Sequence, residues 1–209
     1  VLRSLNLRNL RNLRIVPLPS ACVTSDLPLR LRQPERLAGG AAGQTDDLLV
    51  NPGGEDFGTP PPGWTTTLGN WSAGVVIAEA EPYEDLGYLY SGLGDSNVDL
   101  SLRQDVDVTA WASTIDATRL RIAFTGHARG PLVGPDEHRI RLHFLDEAGN
   151  TVGLYTSDYQ STATWTERST TRLAPSGTRT LRIELNCRTN TGTLCHAYFD
   201  ALTLHASYP

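Results

Sequence analysis

The chain has 209 residues, 39% of them hydrophobic and 20% charged, which is enough apolar material for one domain with a real core and excludes a disordered or fibrous chain. Its formal net charge of −5 argues against a general nucleic-acid binder. No apolar run approaches the roughly 18 residues of a membrane span.

In chain order, residues 1–46 read as a basic arm. Residues 1–36 hold seven Arg against only Asp26 and Glu35, whereas the remainder holds eleven Arg against 21 acids. All 18 basic residues are Arg, which fits either a GC-rich genome or a use for forked donors. From Leu7 the unit Leu-Arg-Asn repeats with a period of three, which fits neither a strand nor an α-helix. Leu2, Leu5, Leu10 and Leu13 can still share one stripe of a short amphipathic helix. Pro17, Pro19, Pro28 and Pro34 then favour an extended path, and Gly39–Gly43 reads as a hinge. Such an arm cannot bury its Leu side chains alone. It either folds back on its own domain, docks on a neighbouring subunit, or lies on a membrane surface. No signal peptide is visible.

Residues 47–209 read as an all-β body, because short β-type runs recur between turn signals. Strands are expected at 48–50, 74–80, 87–91, 98–108, 119–128, 138–146, 152–157, 164–173, 179–187 and 196–205, with a short helical turn within 109–117. Three of them alternate cleanly. Leu120, Ile122 and Phe124 oppose Arg121, Thr125 and His127. Ile140, Leu142 and Phe144 oppose Arg139, Arg141 and His143. Leu181, Ile183 and Leu185 oppose Arg182, Glu184 and Asn186. Each strand therefore has one core face and one wet face. If the three lie in one sheet, the wet faces form an Arg- and His-rich platform. That platform is either a solvated face of Arg–Glu pairs or a ligand-binding face. Its guanidinium forks would suit the carboxylates of acidic glycans.

The sequence Leu48-Leu49-Val50-Asn51-Pro52-Gly53-Gly54-Glu55, followed by Gly63-Trp64, resembles the opening of many bacterial carbohydrate-binding modules. Ser101–Val108 is similar to their Leu-x-Gln-x-Val strand, and Phe144–Asn150 to their Phe-Leu-Asp-x-x-Gly turn. Ala197-Tyr198-Phe199-Asp200-Ala201-Leu202-Thr203-Leu204 is similar to their closing strand. The resemblance covers most of residues 47–205. It implies a galactose-binding-like jelly roll, an antiparallel β-sandwich carrying an extended N-terminal arm. The chain departs from the pattern at Gly54, where Phe is usual, and at Ala201, where a second Asp or Asn is common.

The resemblance further implies a structural Ca²⁺ with Glu55 and Asp200 as side-chain ligands; the alternative is two simple surface acids. It also implies sugar binding by aromatic stacking. Trp64 is expected in the core, and loop-placed Trp71, Tyr83 and Tyr159 are the candidate stacking residues. With Arg121, His127, Arg141, His143 and Arg182 they make the candidate ligand-binding set. Cys187 and Cys195 flank a Thr/Asn/Gly hairpin loop and are either disulfide-bonded or both reduced, which leaves Cys22 odd. No zinc spacing, nucleophile elbow, His-Glu-x-x-His or phosphate loop occurs, so no enzyme activity is expected. The expected protein is a non-catalytic carbohydrate-recognition module, extracellular or virion-associated and homo-oligomeric. Its arm would attach it to protein neighbours in a spike, fibre or capsid decoration. The alternative is a purely structural subunit that binds only protein neighbours. Neither nucleic acid nor a membrane span is expected.

Overall fold

The structure, a computed structural model, describes residues 43–75, 80–92, 99–190 and 192–208. The readings made for residues 1–42, including the Leu-Arg-Asn repeat and Cys22, lie outside the described residues. All described residues fall in the unit Pro34–Pro209.

Eleven strands are described: β1 (Gly43–Gln44), β2 (Thr65–Leu68), β3 (Trp71–Gly74), β4 (Tyr88–Ser91), β5 (Asp99–Asp107), β6 (Arg121–Arg129), β7 (Glu137–Leu145), β8 (Thr151–Thr156), β9 (Thr166–Leu173), β10 (Thr180–Arg188) and β11 (Tyr198–Tyr208). They form two antiparallel sheets. The six-stranded sheet runs β3-β4-β11-β6-β9, with β1 also paired to β11. The five-stranded sheet runs β2-β5-β10-β7-β8. This is the antiparallel β-sandwich that the resemblance implied. Between β5 and β6 a 3-10 turn (Thr109–Trp111) leads into the short helix α1 (Ala112–Asp116), which buries Trp111 and Ile115.

The core lies between the sheets. Ile140, Leu142 and Phe144 of β7 and Leu181, Ile183 and Leu185 of β10 meet Ile122 and Phe124 of β6 and Leu202 and Leu204 of β11. In β11 the register slips by one residue between Asp200 and Thr203, with Ala201 at φ 48°. A bulge of this kind resets the alternation. Phe199 points inward before it and Leu202 and Leu204 after it, while Asp200 is left on the outer side opposite His127.

Three expectations fail locally. Residues 48–50 form no strand. Val50 instead donates its N–H to Gln104 Oε1 at 2.7 Å and accepts from Gln104 Nε2 at 2.8 Å, so one side-chain amide stands in for a strand partner. The strand expected at 74–80 is displaced, since β3 ends at Gly74; residues 76–79 lie outside the described residues. The Thr-rich β2 was not anticipated, because Thr65–Leu68 carries no buried side chain to mark it.

Candidate functional site

The Arg/His platform divides between the two sheets. β6 belongs to the six-stranded sheet, whereas β7 and β10 belong to the five-stranded one. Arg121 and His127 therefore face away from Arg141, His143 and Arg182. Arg121 lies at the opposite end of β6 from His127, roughly 20 Å along the strand at strand rise. Alternation assigns each residue to a face of its own strand but does not assign strands to sheets.

On the five-stranded sheet the expected cations are largely matched by acids. Arg182 sets Nε and Nη2 on Asp105 at 2.6 and 2.8 Å. Arg141 and His143 share Glu184, at 3.6 and 2.9 Å. The His143 hydrogen bond, then Asn186 and Arg141, hold the Glu184 carboxyl down at about 2 against the cost of its burial. Arg188 reaches Glu137 at 2.6 Å. Tyr159 lies in the β8–β9 loop as expected, but guanidiniums occupy its ring: Arg139 at 4.1 Å and Arg188 at 4.3 Å from the centroid. The forks of Arg182 and Arg188 are thus already committed to carboxylates.

Trp71 requires a correction. It sits on strand β3, not in a loop, and is 1% exposed. It packs near Phe199 and donates its indole N–H to Leu68 O at 3.2 Å. The phase of β3 places it inward, so it cannot stack on a ligand. Trp64 is buried, as expected.

Exposed aromatic surface remains on the outer face of the six-stranded sheet. The segment Ala80–Gly87 crosses that face above Tyr88, Tyr90 and Tyr198. Tyr88 Oη donates to Ala80 O at 3.2 Å, and Trp165 Nε1 donates to Glu81 O at 3.0 Å. Asp200 Oδ2 accepts from Tyr83 N at 2.7 Å and Glu84 N at 3.1 Å. Glu55 accepts from Leu86 N at 2.9 Å and Gly87 N at 3.1 Å. The two carboxylates so hold both sides of one tight loop.

Tyr83 lies on that loop. Its ring lies 3.7 Å from the His127 ring at 17°, and Trp165 meets it edge-on at 6.2 Å. Tyr83 is still 46% exposed. Arg129 lies 5.8 Å over Trp165. His127 is pushed below the ordinary imidazole range by burial, against the pull of Glu167 and Glu84, so it is neutral beneath Tyr83 at neutral pH. Of the eight ligand-binding residues expected from sequence, the structure joins only Tyr83 and His127 in this cluster. Trp165 and Arg129 were not chosen. Both follow from the β6–β9 pairing, which no local pattern announces.

Glu55 and Asp200 converge around Gly53. The point a Gly53 Cβ would occupy lies 3.3 Å from both Asp200 Oδ1 and Glu55 Oε1. Asp200 is fully buried, and that burial, with Glu55 nearby, raises its carboxyl to about 6 despite three backbone hydrogen bonds. Among the described residues no group of three or more His, Cys, Asp or Glu is arranged to hold a metal. Glu55 and Asp200 are hard-oxygen donors of the type Ca²⁺ takes, and each of their four oxygens also accepts a backbone N–H, from Leu86 and Gly87 on Glu55 and from Tyr83, Glu84 and Ala201 on Asp200. Cys187 and Cys195 form a disulfide with Cα atoms 6.1 Å apart.

No protein-family profile matches the sequence, and no curated protein matches it. Solved structures match in shape. The enzymatically active domain of bacteriophage CBA120 tailspike protein 4 aligns at TM-score 0.53 and 14% identity, over 76% of this chain and 21% of that one. An arabinose-bound α-L-arabinofuranosidase, MgGH51, aligns at 0.51 and 13%, over 80% and 27%. TmCBM61 in complex with β-1,4-galactotriose aligns at 0.49 and 17%, over 76% and 97%. This chain thus spans about a fifth to a quarter of the first two. At such identities the likeness establishes the fold class: an antiparallel β-sandwich of the jelly-roll kind. The resemblance read from the sequence holds at that level. Among the described residues no helix is long and apolar enough to cross a membrane.

Proposed function

We propose that the chain is a non-catalytic carbohydrate-recognition module that seats a glycan against Tyr83 on the outer face of the six-stranded sheet. The observation that carries this reading is the Tyr83 ring, half-exposed on a pinned loop and backed by a neutral imidazole. A flat, pre-ordered ring offers a pyranose an apolar platform at little entropic cost. Glu84 and Glu167 beside it are acceptors for sugar hydroxyls and disfavour an anionic sugar at this point, so neutral glycans are the first choice here.

The test is a glycan array followed by titration calorimetry. Tyr83→Ala is expected to weaken binding at least tenfold with an unchanged melting temperature. Arg141→Ala with Arg182→Ala, on the other sheet, is expected to leave neutral-glycan affinity alone. Equal affinity for wild type and Tyr83→Ala removes the site.

On this reading Glu55 and Asp200 hold a Ca²⁺ that screens their mutual repulsion and steadies the Tyr83 loop. Adding Ca²⁺ after chelation is expected to raise the melting temperature by several degrees, and Glu55→Gln is expected to abolish the rise. A flat Ca²⁺ titration leaves the two carboxylates as loop pins alone. Residues 1–46 attach the module to a larger homo-oligomeric assembly outside the cell, such as a virion spike, fibre or capsid decoration. A structural subunit that binds only protein neighbours is the second reading. It is favoured by the β6–β7 loop tip, where Leu132 and Val133 are 69% and 87% exposed.

A further inference from the structure

β9 has an unusual inner face. Its register sets Arg168, Thr170 and Arg172 opposite Gly126, Phe124 and Ile122 of β6. Phe124 and Ile122 point into the core. The three β9 side chains therefore also point between the sheets, although none is apolar. β9 ends the six-stranded sheet and β8 ends the five-stranded one. The β9 arginines consequently line the side of the sandwich where the two sheet edges face each other. Tyr155 of β8 comes to meet them: the Arg172 guanidinium lies 5.6 Å from its ring centroid, and Arg172 Nε donates to Thr170 Oγ1 at 3.3 Å.

Arg168 is the unusual member. It is 7% exposed. Its Nη1 donates to Glu167 O at 2.8 Å and its Nη2 to Gln160 Oε1, both neutral acceptors. Its Nε is buried with no partner. Among the described residues neither Arg168 nor Arg172 forms an ion pair. Arg182, Arg141, Arg188 and Arg179 all do. A buried guanidinium with no counter-charge is costly, and an unpaired N–H adds to that cost. Burial accordingly pulls the Arg168 pKa down, and only Tyr155 opposes it.

We propose that this side of the sandwich, between edge strands β8 and β9, is a binding site for an oxyanion, with Arg168 and Arg172 as the receiving charges and Thr170 and Gln160 as neutral neighbours. A carboxylate or sulfate supplies the missing counter-charge and an acceptor for the free Nε–H. The same chemistry comes either from a free oxyanion or from the acidic group of a uronate or sulfated saccharide. Arg168 and Arg172 point between the sheets whereas Tyr83 stacks on His127 on the outer face, so the site stands whether or not Tyr83 binds sugar. A competing explanation is that inward charge merely stops the β9 edge from pairing with another sheet.

The experiment uses the full chain and three probes at constant ionic strength: sodium sulfate, trigalacturonate and neutral galactotriose. Affinities come from calorimetry and melting temperatures from calorimetric scans. Binding of sulfate or trigalacturonate is expected, weakened at least tenfold by Arg172→Gln, an exposed position that tolerates change. Trigalacturonate binding without sulfate binding assigns the site to an acidic saccharide; sulfate binding alone assigns it to a free oxyanion. Arg168→Gln is expected to keep or raise the anion-free melting temperature while erasing the rise that the bound anion gives wild type. A merely structural Arg168 predicts a lowered melting temperature with or without anion. The proposal is overturned if neither anion binds at millimolar concentration, or if both arginine variants bind like wild type. Tyr83→Ala is expected to leave anion binding unchanged, and Arg172→Gln to leave any neutral-glycan binding unchanged, so the two sites fail separately.

Discussion

Acidification from pH 6.5 to pH 4 is expected to strip the fold of up to about 3 kcal/mol held by one buried histidine. His138 is 0% exposed on β7, and burial, with Arg168 nearby, lowers its pKa to about 4. Its Nδ1 lies 3.4 Å from Asp136 O, which can only accept, so Nδ1 carries the proton. Nε2 is then left as an acceptor, 3.3 Å from Thr162 Oγ1, a hydroxyl whose one proton it shares with Thr164 O at 3.2 Å. The neutral ring satisfies both partners. Protonation places a charge in the core and removes that acceptor. Because the folded pKa lies below the unfolded value, this stability is present above pH 6.5 and is lost as the pH falls through about 4. Asp200 runs the other way. In chelator, with no cation bound, its pKa is raised to about 6, so its contribution is present below about pH 4 and disappears as the pH rises through 6. The two partly cancel in wild type. His138→Gln is expected to remove the His138 share of the acid loss, so that less stability is lost between pH 6.5 and pH 4 than in wild type, while the lowered pKa values of His127 and Glu184 still oppose the Asp200 limb. Denaturant titrations across that range check this. Parallel pH profiles for wild type and His138→Gln would exclude His138 as the acid-sensitive group.

His138 also marks the limit of what the residues disclose alone. Its inward position follows from alternation, since it precedes Ile140 and Leu142 in phase. The core faces of β6, β7 and β10 follow from the same period, and the short helical turn expected within 109–117 is found at Thr109–Asp116. These are local properties, fixed by side-chain parity and turn chemistry. What parity leaves open is which strands share a sheet. Arg121 and Arg141 therefore look equivalent along the chain and lie on opposite faces in space. Trp71 was misplaced because the preceding Gly69-Asn70 turn and the short β3 hide its phase. Asp200 was legible as an acid of the closing strand. Its role in holding Tyr83 depends on residues more than a hundred positions apart, and no local pattern reaches that far. The polar inner face of β9 is visible as a run, Thr-Glu-Arg-Ser-Thr-Thr-Arg-Leu, with almost nothing to bury. A strand with no apolar parity signals that one of its faces does something other than pack.

Reduction of the disulfide is expected to cost about 2–3 kcal/mol and to lower the melting temperature by roughly 5–10 °C. Cys187 lies near the end of β10 and Cys195 shortly before β11, eight residues apart in sequence and both buried. The cross-link removes the loop-closure freedom that the unfolded chain otherwise has, which for so short a loop is worth a few kcal/mol. The folded loop does not collapse when the bond is cut, because other contacts also hold it. Asp136 accepts from Asn190 N at 2.9 Å and from His196 N at 2.8 Å, and Ser91 Oγ accepts from Ala197 N at 3.0 Å. Gly92 packs so closely beneath that its Cβ, were there one, would lie 1.8 Å from Cys195 O. The expected signature is therefore a lowered melting temperature with a native-like far-ultraviolet spectrum below it. The double variant Cys187→Ala, Cys195→Ala separates lost closure from buried free thiols, and it is expected to melt close to the reduced wild type. A reduced protein that melts within a degree of the oxidised one would mean that the Asp136 and Ser91 contacts order the loop in the unfolded ensemble as well as in the native state, leaving the cross-link nothing to restrict.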